Sequence, residues 1–276
     1  MDTATTEYWV HDLDPFLIHF GGDIGLRYYG LAYVLAFLFA FWLFGRFRRA
    51  GLSPLTKNQE ADAMLFLVLG ALLGGRLGFM LLYDLPQFLR EPWTIVEVWR
   101  GGMASHGGFA GVVLAGIWVA KRYKINFWRL ADMMAVMTPP GLMLGRIANF
   151  INGELWGRIS YVSWAVIFPE SAAPGTPVSQ IPPRHPSQLY EAALEGLLCL
   201  VYTQLRAWKS NVIREHPGQL GGEFLVLYGI VRIVGEQFRE PDASLILDLS
   251  RGSFYSIFLA LAGVLMIWNA RRKHAD

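Results

Sequence analysis

The sequence predicts an all-α integral membrane protein with seven transmembrane helices, and three observations carry this prediction. Hydrophobic residues make up 54% of the 276 residues and charged residues only 17%, whereas soluble domains carry about 25% charged residues. Apolar runs of about bilayer length recur along the chain. Finally, lysine and arginine are concentrated in alternate connecting segments, as in multi-pass membrane proteins.

The predicted spans are apolar stretches with aromatic residues near several of their ends. They cover residues 27–46, 62–84, 105–121, 130–151, 188–206, 220–238 and 253–270. Glycines four residues apart predict close helix contacts, and they occur at Gly70 and Gly74, Gly107 and Gly111, and Gly141 and Gly145. In the fourth span, Pro139 and Pro140 predict either a broken helix with an internal N-terminus or a simple kink.

Basic residues in the connecting segments set the orientation. All five lysines and most arginines outside the spans lie in the segments around residues 46–57, 121–129, 206–214 and 271–273. The positive-inside rule makes this side cytoplasmic. The N-terminus is therefore predicted to be periplasmic and the C-terminus cytoplasmic.

Two periplasmic segments complete the predicted architecture. Residues 1–24 contain an apolar run, Phe16–Phe20, that is typical of a segment lying at the membrane interface. Residues 152–187 are rich in proline and predict a small irregular periplasmic cap with a short strand at Ser163–Phe168. The sequence shows no second soluble domain, so residues 1–276 are predicted to form a single polytopic membrane domain.

Charged residues inside the spans are costly and usually functional. They are Arg76, Arg146, Arg232, Glu236 and Arg239. Most of them lie toward the periplasmic ends of their spans, and the last three are spaced to share one helix face. The excess of arginine over glutamate predicts an anionic guest, and a guanidinium binds phosphate with two parallel hydrogen bonds. At this depth a phospholipid is the expected source of phosphate.

Histidine and cysteine narrow the possible chemistry. His106 lies beside Gly107 and Gly108, so it is either a general base or a structural hydrogen-bonding group. The histidines are not spaced as metal ligands, so no metal site is predicted. His11 and His19 lie in a surface segment and are assigned no role. The single cysteine, Cys199, is predicted to be a buried, inert thiol.

Four blocks of sequence resemble one known family. They are the run from Gly145 to Gly157, GRIANFINGELWG; His106 with its two glycines; His185–Glu191, HPSQLYE; and Arg232, Glu236, Arg239, Pro241 and Asp242. Together they resemble the bacterial prolipoprotein diacylglyceryl transferases, and the blocks extend over nearly the whole chain. The family likewise has seven spans with the N-terminus outside.

The resemblance implies a reaction and its partners. The family transfers the diacylglyceryl group of phosphatidylglycerol to the lipobox cysteine thiol of a prolipoprotein, which forms a thioether and releases glycerol phosphate. This is the first step of bacterial lipoprotein maturation, at the periplasmic leaflet of the inner membrane. The expected partners are phosphatidylglycerol, the prolipoprotein signal peptide and membrane lipids. We expect no cofactor and no nucleic acid, and a monomer.

The resemblance also implies roles for particular residues. The catalytic group is His106, for the thiol proton, with Arg146 and Arg239, for the phosphate. The headgroup-binding group adds Tyr29, Asn149, Asn152, Arg232 and Glu236. The supporting group is Glu154, Gly157, Arg158, His185, Tyr190 and Glu191.

An alternative function is a transporter or flippase for an anionic lipid or solute. It would also explain arginines within the membrane, but it predicts a polar path through the cytoplasmic half. The cytoplasmic halves of the predicted spans are apolar, which favours the enzyme. A structural scaffold would leave the charged residues without a purpose.

Overall fold

The computed structural model describes residues 8–21, 24–97, 102–241 and 244–272, without the side chains of Ile24, Leu82, Ser105 and His106. This part of the chain is mainly helical. Its α-helices are α1 Tyr28–Arg49, α2 Lys57–Leu82, α3 Leu85–Arg90, α4 Ser105–Tyr123, α5 Phe127–Ile151, α6 Ser187–Glu191, α7 Cys199–Lys209, α8 Val212–Glu215, α9 Gln219–Glu236 and α10 Arg251–Arg272. A π-helical segment, Ala192–Leu198, joins α6 to α7 without a break.

Each predicted span coincides with a helical segment, but only some helices satisfy a membrane criterion by themselves. Within the described ranges, α1, α2 and α10 are long and apolar enough to cross a membrane. The remaining predicted spans lie on α4, α5, the α6–α7 segment and α9. Three of these carry buried polar or charged side chains, for example Asp132, Glu195 and Arg232. Passage of these four segments through the membrane therefore stays a prediction.

Short strands correct the all-α description. β1 (Trp9–Val10) pairs in parallel with β4 (Val166–Ile167), and β2 (Phe16–Gly21) pairs antiparallel with β3 (Ile24–Arg27). The strand predicted in the cap is thus confirmed over two of its residues. Pairing of β1 with β4 joins segments more than 150 residues apart, and local sequence patterns do not specify such a partner.

The chain divides into two compact units, and one comprises residues 1–40 and 134–276. A buried cluster of Ala135, Cys199, Phe224 and Val231 forms part of its core. The predicted burial of Cys199 is confirmed, since its exposed fraction is 0%. Helices α9 and α10 pack closely in this unit, because a Cβ on Gly222 would lie 2.6 Å from the carbonyl oxygen of Gly263.

The second unit comprises residues 41–133. Its α2 and α4 cross at predicted small-residue positions, where the backbone of Gly70 and Gly74 contacts that of Gly107 and Gly111. Van der Waals contact of this kind holds helices together in lipid, where the hydrophobic effect between them is absent. The predicted close helix contact is wrong for Gly145, because a Cβ there would meet none of the described atoms within 4 Å.

Helix α5 continues through both of its prolines. Of the two alternatives for Pro139 and Pro140, the broken helix with an internal N-terminus is therefore wrong, and the simple kink remains. Two prolines each remove one backbone hydrogen bond, whereas an open break would expose several polar groups that lipid cannot satisfy. Just before the prolines, the hydroxyl of Thr138 donates to the carbonyl of Met134, one turn earlier, at 2.8 Å.

Candidate active site

Two buried glutamates form the centre of the candidate site. Glu191 ends α6 and Glu195 lies one turn later, in the π-helical segment, and both side chains are 0% exposed. Residues four apart share a helix face, so both carboxylates point the same way. A π-helical turn within an α-helix is rare and frequently marks a functional site.

Three arginines surround these carboxylates. Arg146 of α5 places Nη1 3.0 Å from Oε2 of Glu191 and Nη2 3.1 Å from Oε2 of Glu195. Arg232 of α9 places Nη1 2.9 Å from Oε1 of Glu195 and also pairs with Glu191. Arg239, just beyond α9, places Nη1 3.5 Å from Oε1 of Glu191. Side chains from three chain segments thus meet at one buried point.

A third glutamate closes the network on the α10 side. Glu236 pairs with Arg232 one turn away on α9. The start of α10 lies against this pair, since a Cβ on Gly252 would be 2.6 Å from Cδ of Glu236 and 3.0 Å from Nη2 of Arg232. A larger residue there would displace the Arg232–Glu236 pair, and the positive end of the α10 dipole stabilises the nearby carboxylate.

The six charges of this network balance when all are ionised. The arginines are Arg146, Arg232 and Arg239, and the glutamates are Glu191, Glu195 and Glu236. The predicted excess of arginine is therefore wrong here, because Glu191 and Glu195 were not counted among the charged residues of the spans. Pairing compensates the cost of removing these charges from water. Each Nη of Arg146 carries a second N–H that its described contacts with glutamate do not use.

The turn after α5 connects the network to the cap. Asn149, buried and one turn beyond Arg146, donates from Nδ2 to Oε1 of Glu154 at 2.7 Å, and Asn152 donates to the same oxygen at 3.3 Å. Gln188, one turn before Glu191, donates to the backbone carbonyl of Glu154 at 2.7 Å. Glu154 is thereby held by groups from both helices that supply the network.

Gly157 and Arg158 hold the backbone on which Arg239 is placed. The amide of Gly157 donates to the carbonyl of His185 at 3.0 Å, and the amide of Arg158 donates to that of Phe238 at 2.9 Å. The Arg158 side chain donates from Nε to the carbonyl of Arg239 at 3.1 Å. A Cβ on Gly157 would come within 2.6 Å of His185 and Phe238 atoms, so only glycine allows this approach.

His185 and Tyr190 form an aromatic cluster with Phe238. Nδ1 of His185 lies 3.2 Å from the Tyr190 hydroxyl, which also accepts a hydrogen bond from Nε1 of Trp164 at 2.6 Å. The Phe238 ring meets both side chains edge-on, with ring centroids 5.4 Å apart. Partial burial lowers the pKa of His185, because it disfavours the charged imidazolium.

Comparison with known proteins places the chain in a family. The family model described as "Prolipoprotein diacylglyceryl transferase" matches residues 15–269. The chain belongs to this family. A protein of Aeromonas salmonicida named phosphatidylglycerol–prolipoprotein diacylglyceryl transferase is 42% identical over 270 residues, covering 96% of this chain and 94% of that protein. A protein of the same name from Rhodospirillum centenum is 43% identical over 264 residues, covering 94% and 92% of the two chains.

The structure brings together several residues that the resemblance to the transferase family singled out. Arg146, Arg232, Arg239, Glu236 and Glu191 share the ion-pair network. Seven further predicted residues lie in its surroundings, namely Asn149, Asn152, Glu154, Gly157, Arg158, His185 and Tyr190.

Three other predicted residues are not among the described members of this network. Tyr29 packs its ring on that of Tyr33 in α1, with centroids 5.4 Å apart. The side chain of His106, the predicted base, lies outside the described residues. Arg76 belongs to the second unit, where it donates to the carbonyls of Thr94, Ile95 and Gly102 at 2.6, 3.3 and 3.1 Å.

Sequence reasoning missed Glu195 of the network and misplaced His11. Glu195 is four residues after Glu191 in a predicted span, and that spacing could have revealed it. His11 was placed in a surface segment, but it is buried, and its Nε2 donates to the carbonyl of Phe150 at 2.7 Å. No local pattern reveals His11, because β1 carries it to the end of α5 through pairing with β4.

Proposed function

We propose that this protein is a phosphatidylglycerol–prolipoprotein diacylglyceryl transferase of the bacterial inner membrane. The observation that carries the proposal is that arginines from separate segments of the family motif meet around two buried carboxylates. Near-full-length relatives with this activity in their names support it. The enzyme acts in lipoprotein biosynthesis, where it lipidates proteins.

The reaction exchanges one bond for another. The lipobox thiolate attacks the glyceryl carbon that is bonded to the phosphate oxygen of phosphatidylglycerol. A carbon–sulfur bond forms, the carbon–oxygen bond breaks, and glycerol phosphate leaves with that oxygen. The thiol proton must be removed, since a free thiol has a pKa of about 8.5, and it ends on solvent or on the departing phosphate.

Arginines Arg146 and Arg239 hold the phosphate in this proposal. Negative charge grows on the phosphate as the bond breaks, and preorganised donors at that point lower the barrier. The glutamates fix the orientation of the guanidinium groups before the lipid arrives. Arg232 is clamped between Glu195 and Glu236, so it contributes charge and position more than free hydrogen-bond donors.

His106 accepts or relays the thiol proton in this proposal. The motif match and the ordinary titration range of imidazole support this role. Replacement of His106 by Gln, with the rate followed against pH, tests it. An unchanged rate and profile would exclude the role, because loss of a general base typically costs about 10²- to 10⁴-fold.

The membrane arrangement is part of the proposal. Seven spans place the N-terminus in the periplasm and the C-terminus in the cytoplasm, with residues 1–24 at the interface and residues 152–187 as a cap. The site then lies near the periplasmic leaflet. The lipid enters sideways between helices, and the prolipoprotein reaches the same site from its membrane-anchored signal peptide. The enzyme acts as a monomer, and Tyr29 contacts the headgroup.

A direct assay tests the proposed reaction. Purified protein in detergent is incubated with labelled phosphatidylglycerol and a lipobox peptide, and the products are analysed by mass spectrometry. We expect the peptide to gain one diacylglyceryl group and an equal amount of glycerol phosphate to appear. A peptide with serine in place of the cysteine is the control. Absence of the thioether product from an otherwise folded protein would refute the proposal.

A further inference from the structure

A shallow cavity of about 340 Å³ lies at the end of α7, within the unit of residues 1–40 and 134–276. Its lining residues are Tyr202, Leu205, Arg206, Lys209 and Ser210. Arg206 follows Glu195 of the network by eleven residues on a continuous helical segment, which is about 16 Å along the helix axis. The cavity is therefore distinct from the candidate active site, and none of the roles proposed above uses it.

Arg206 is held in place by one carboxylate. Its Nε and Nη2 donate to the two oxygens of Glu223, at 2.8 and 2.7 Å. Nη1 takes no part in these described contacts with Glu223, and it carries two N–H donors. A guanidinium fixed in this way offers a preoriented donor group to a second anion.

Glu223 is fully used by its neighbours. Besides the contacts with Arg206, the Tyr202 hydroxyl donates to its Oε2 at 3.0 Å, and Nε2 of Gln219 donates to its Oε1 at 2.7 Å. Each carboxylate oxygen thus already accepts two hydrogen bonds, so Glu223 has no lone pair left for an ammonium group. Exposed Lys209 adds a positive charge to the cavity. The cavity therefore favours a guest with net negative charge.

An exposed apolar stripe leads away from the cavity along the helix. Leu198, Val201 and Leu205 are exposed, and their spacing of three and four residues places them on one helix face. Lys209 continues this face one turn after Leu205. From Leu198 to Lys209 the helix rises about 16 Å, close to the roughly 15 Å of hydrocarbon in one leaflet. This length and this order of groups match one phospholipid with its phosphate at the basic end.

We propose that this surface binds an anionic phospholipid of the cytoplasmic leaflet. Its phosphate lies at Lys209 and at Nη1 of Arg206, and an acyl chain lies on Leu198, Val201 and Leu205. The inference rests on the topology within the proposed function, which puts this end of α7 at the cytoplasmic surface, but it does not rest on the transfer reaction. The lipid bound here is not a substrate. It fixes the depth of α7 in the membrane, because basic residues at this surface attract anionic lipids.

A purely structural role of the two basic residues is the competing explanation. Cations in the last turn of a helix complement its dipole, and long basic side chains reach from apolar surface toward water. This explanation requires no particular lipid. It predicts equal occupancy of the surface by anionic and zwitterionic phospholipids.

Photoaffinity labelling tests the site. Purified protein in detergent is mixed with photoactivatable phosphatidic acid or photoactivatable phosphatidylcholine with identical acyl chains, and the labelled residues are mapped by mass spectrometry. We expect phosphatidic acid to label residues 198–210 at least about fivefold more than phosphatidylcholine, the usual effect of one basic residue facing an anionic membrane surface. In Lys209→Gln this preference should fall about fivefold. Lys121→Gln changes an exposed lysine in the last turn of α4 and should keep the wild-type preference.

A competition experiment separates a lipid from a free phosphate. Unlabelled phosphatidic acid should displace the label from residues 198–210, whereas glycerol phosphate at the same concentration should not, because it has no acyl chain for the apolar stripe. Equal labelling by the two lipids, an unchanged preference in Lys209→Gln, or equal displacement by glycerol phosphate would overturn the lipid site and leave the transferase function standing. Absence of diacylglyceryl transfer would instead refute the reaction and leave the lipid site standing.

Discussion

Glu195 illustrates how a single side chain organises this site. Its Oε2 faces Nε and Nη2 of Arg146, at 3.3 and 3.1 Å, and its Oε1 faces Nη1 of Arg232 at 2.9 Å. A carboxylate shared between two guanidiniums fixes the distance between them and offsets their repulsion. In the proposed function, Glu195 is therefore a positioning residue, which would act on the lipid phosphate through the arginines.

Replacement of Glu195 by Gln keeps the size of the side chain but removes its charge, so it tests whether the carboxylate positions the two guanidinium groups. Glutamine has nearly the same volume but accepts with only one oxygen, so one guanidinium loses its partner. We expect kcat to fall about 10²-fold, the typical cost of losing one preorganised electrostatic contact, with a smaller change in KM. Steady-state kinetics with phosphatidylglycerol and a lipobox peptide measure both.

The matched control is Glu223→Gln. Glu223 is also a largely buried carboxylate, paired with Arg206 at 2.7 and 2.8 Å, in a separate network. Thermal unfolding midpoints of both variants in detergent show how much stability each one loses. Equal losses of kcat in the two variants would mean that Glu195 acts only through stability.

Arg146→Lys tests whether the Arg146 guanidinium binds the phosphate with two parallel hydrogen bonds. A lysine ammonium is a point charge and cannot make two parallel hydrogen bonds to a phosphate. We expect the rate of transfer to fall about 10²-fold or more, whereas Arg206→Lys should change it less than about threefold. Near-normal turnover of Arg146→Lys would refute bidentate binding of the phosphate by Arg146.

His185 gives a pH-dependent prediction. Burial lowers the pKa of His185 below the ordinary 6.5, so above pH 7 neither the folded nor the unfolded state binds this proton. As the pH falls below 6.5, the unfolded state binds it first and folding stability is lost. The unfolding midpoint of the wild type should therefore fall more between pH 7.5 and 5.5 than that of His185→Gln. Parallel curves for the two proteins would contradict this.

At the level of elements, the sequence predicted helices far better than irregular contacts. Hydropathy located α1 to within three residues at each end, because lipid-facing helices need long apolar runs. It did not reveal the π-helical segment, which depends on tertiary packing such as that of Gly196 against Met143. The motif singled out the arginines, and the fold shows that Glu191 and Glu195 pair with them.

Gly157→Ala tests the backbone contacts of the Gly157 segment with His185 and Phe238, next to Arg239. The added methyl group would overlap with the backbone of His185 and Phe238, so the strand-like contact must open. We expect a lower unfolding midpoint and a loss of transfer of about tenfold or more, since small displacements at a site are costly. Gly145→Ala is the control for stability, because its Cβ meets open space and alanine favours helix. An equal fall of the midpoint in both variants would contradict the prediction.

The predicted topology of the whole molecule places the cap, residues 152–187, and the basic connecting segments on opposite sides of the membrane. Single cysteines can be introduced at exposed Ser179 and exposed Lys209 in a Cys199→Ala background. In intact spheroplasts, an impermeant maleimide should label the cysteine at residue 179 and spare that at residue 209 until the membrane is permeabilised. Labelling of both positions, or the reverse pattern, would contradict the seven-span topology.

The distribution of the six charges over the chain has a consequence for biogenesis. Of the six charges, α5 carries Arg146, the α6–α7 segment brings Glu191 and Glu195, α9 carries Arg232 and Glu236, which pair with each other, and Arg239 follows α9. An arginine within a span costs up to about 2.5–3.5 kcal/mol during insertion by the translocon. If α5 spans the membrane as predicted, Arg146 therefore enters the bilayer without its carboxylate partners, and its burial in the network must wait until the glutamate-bearing segment has been synthesised.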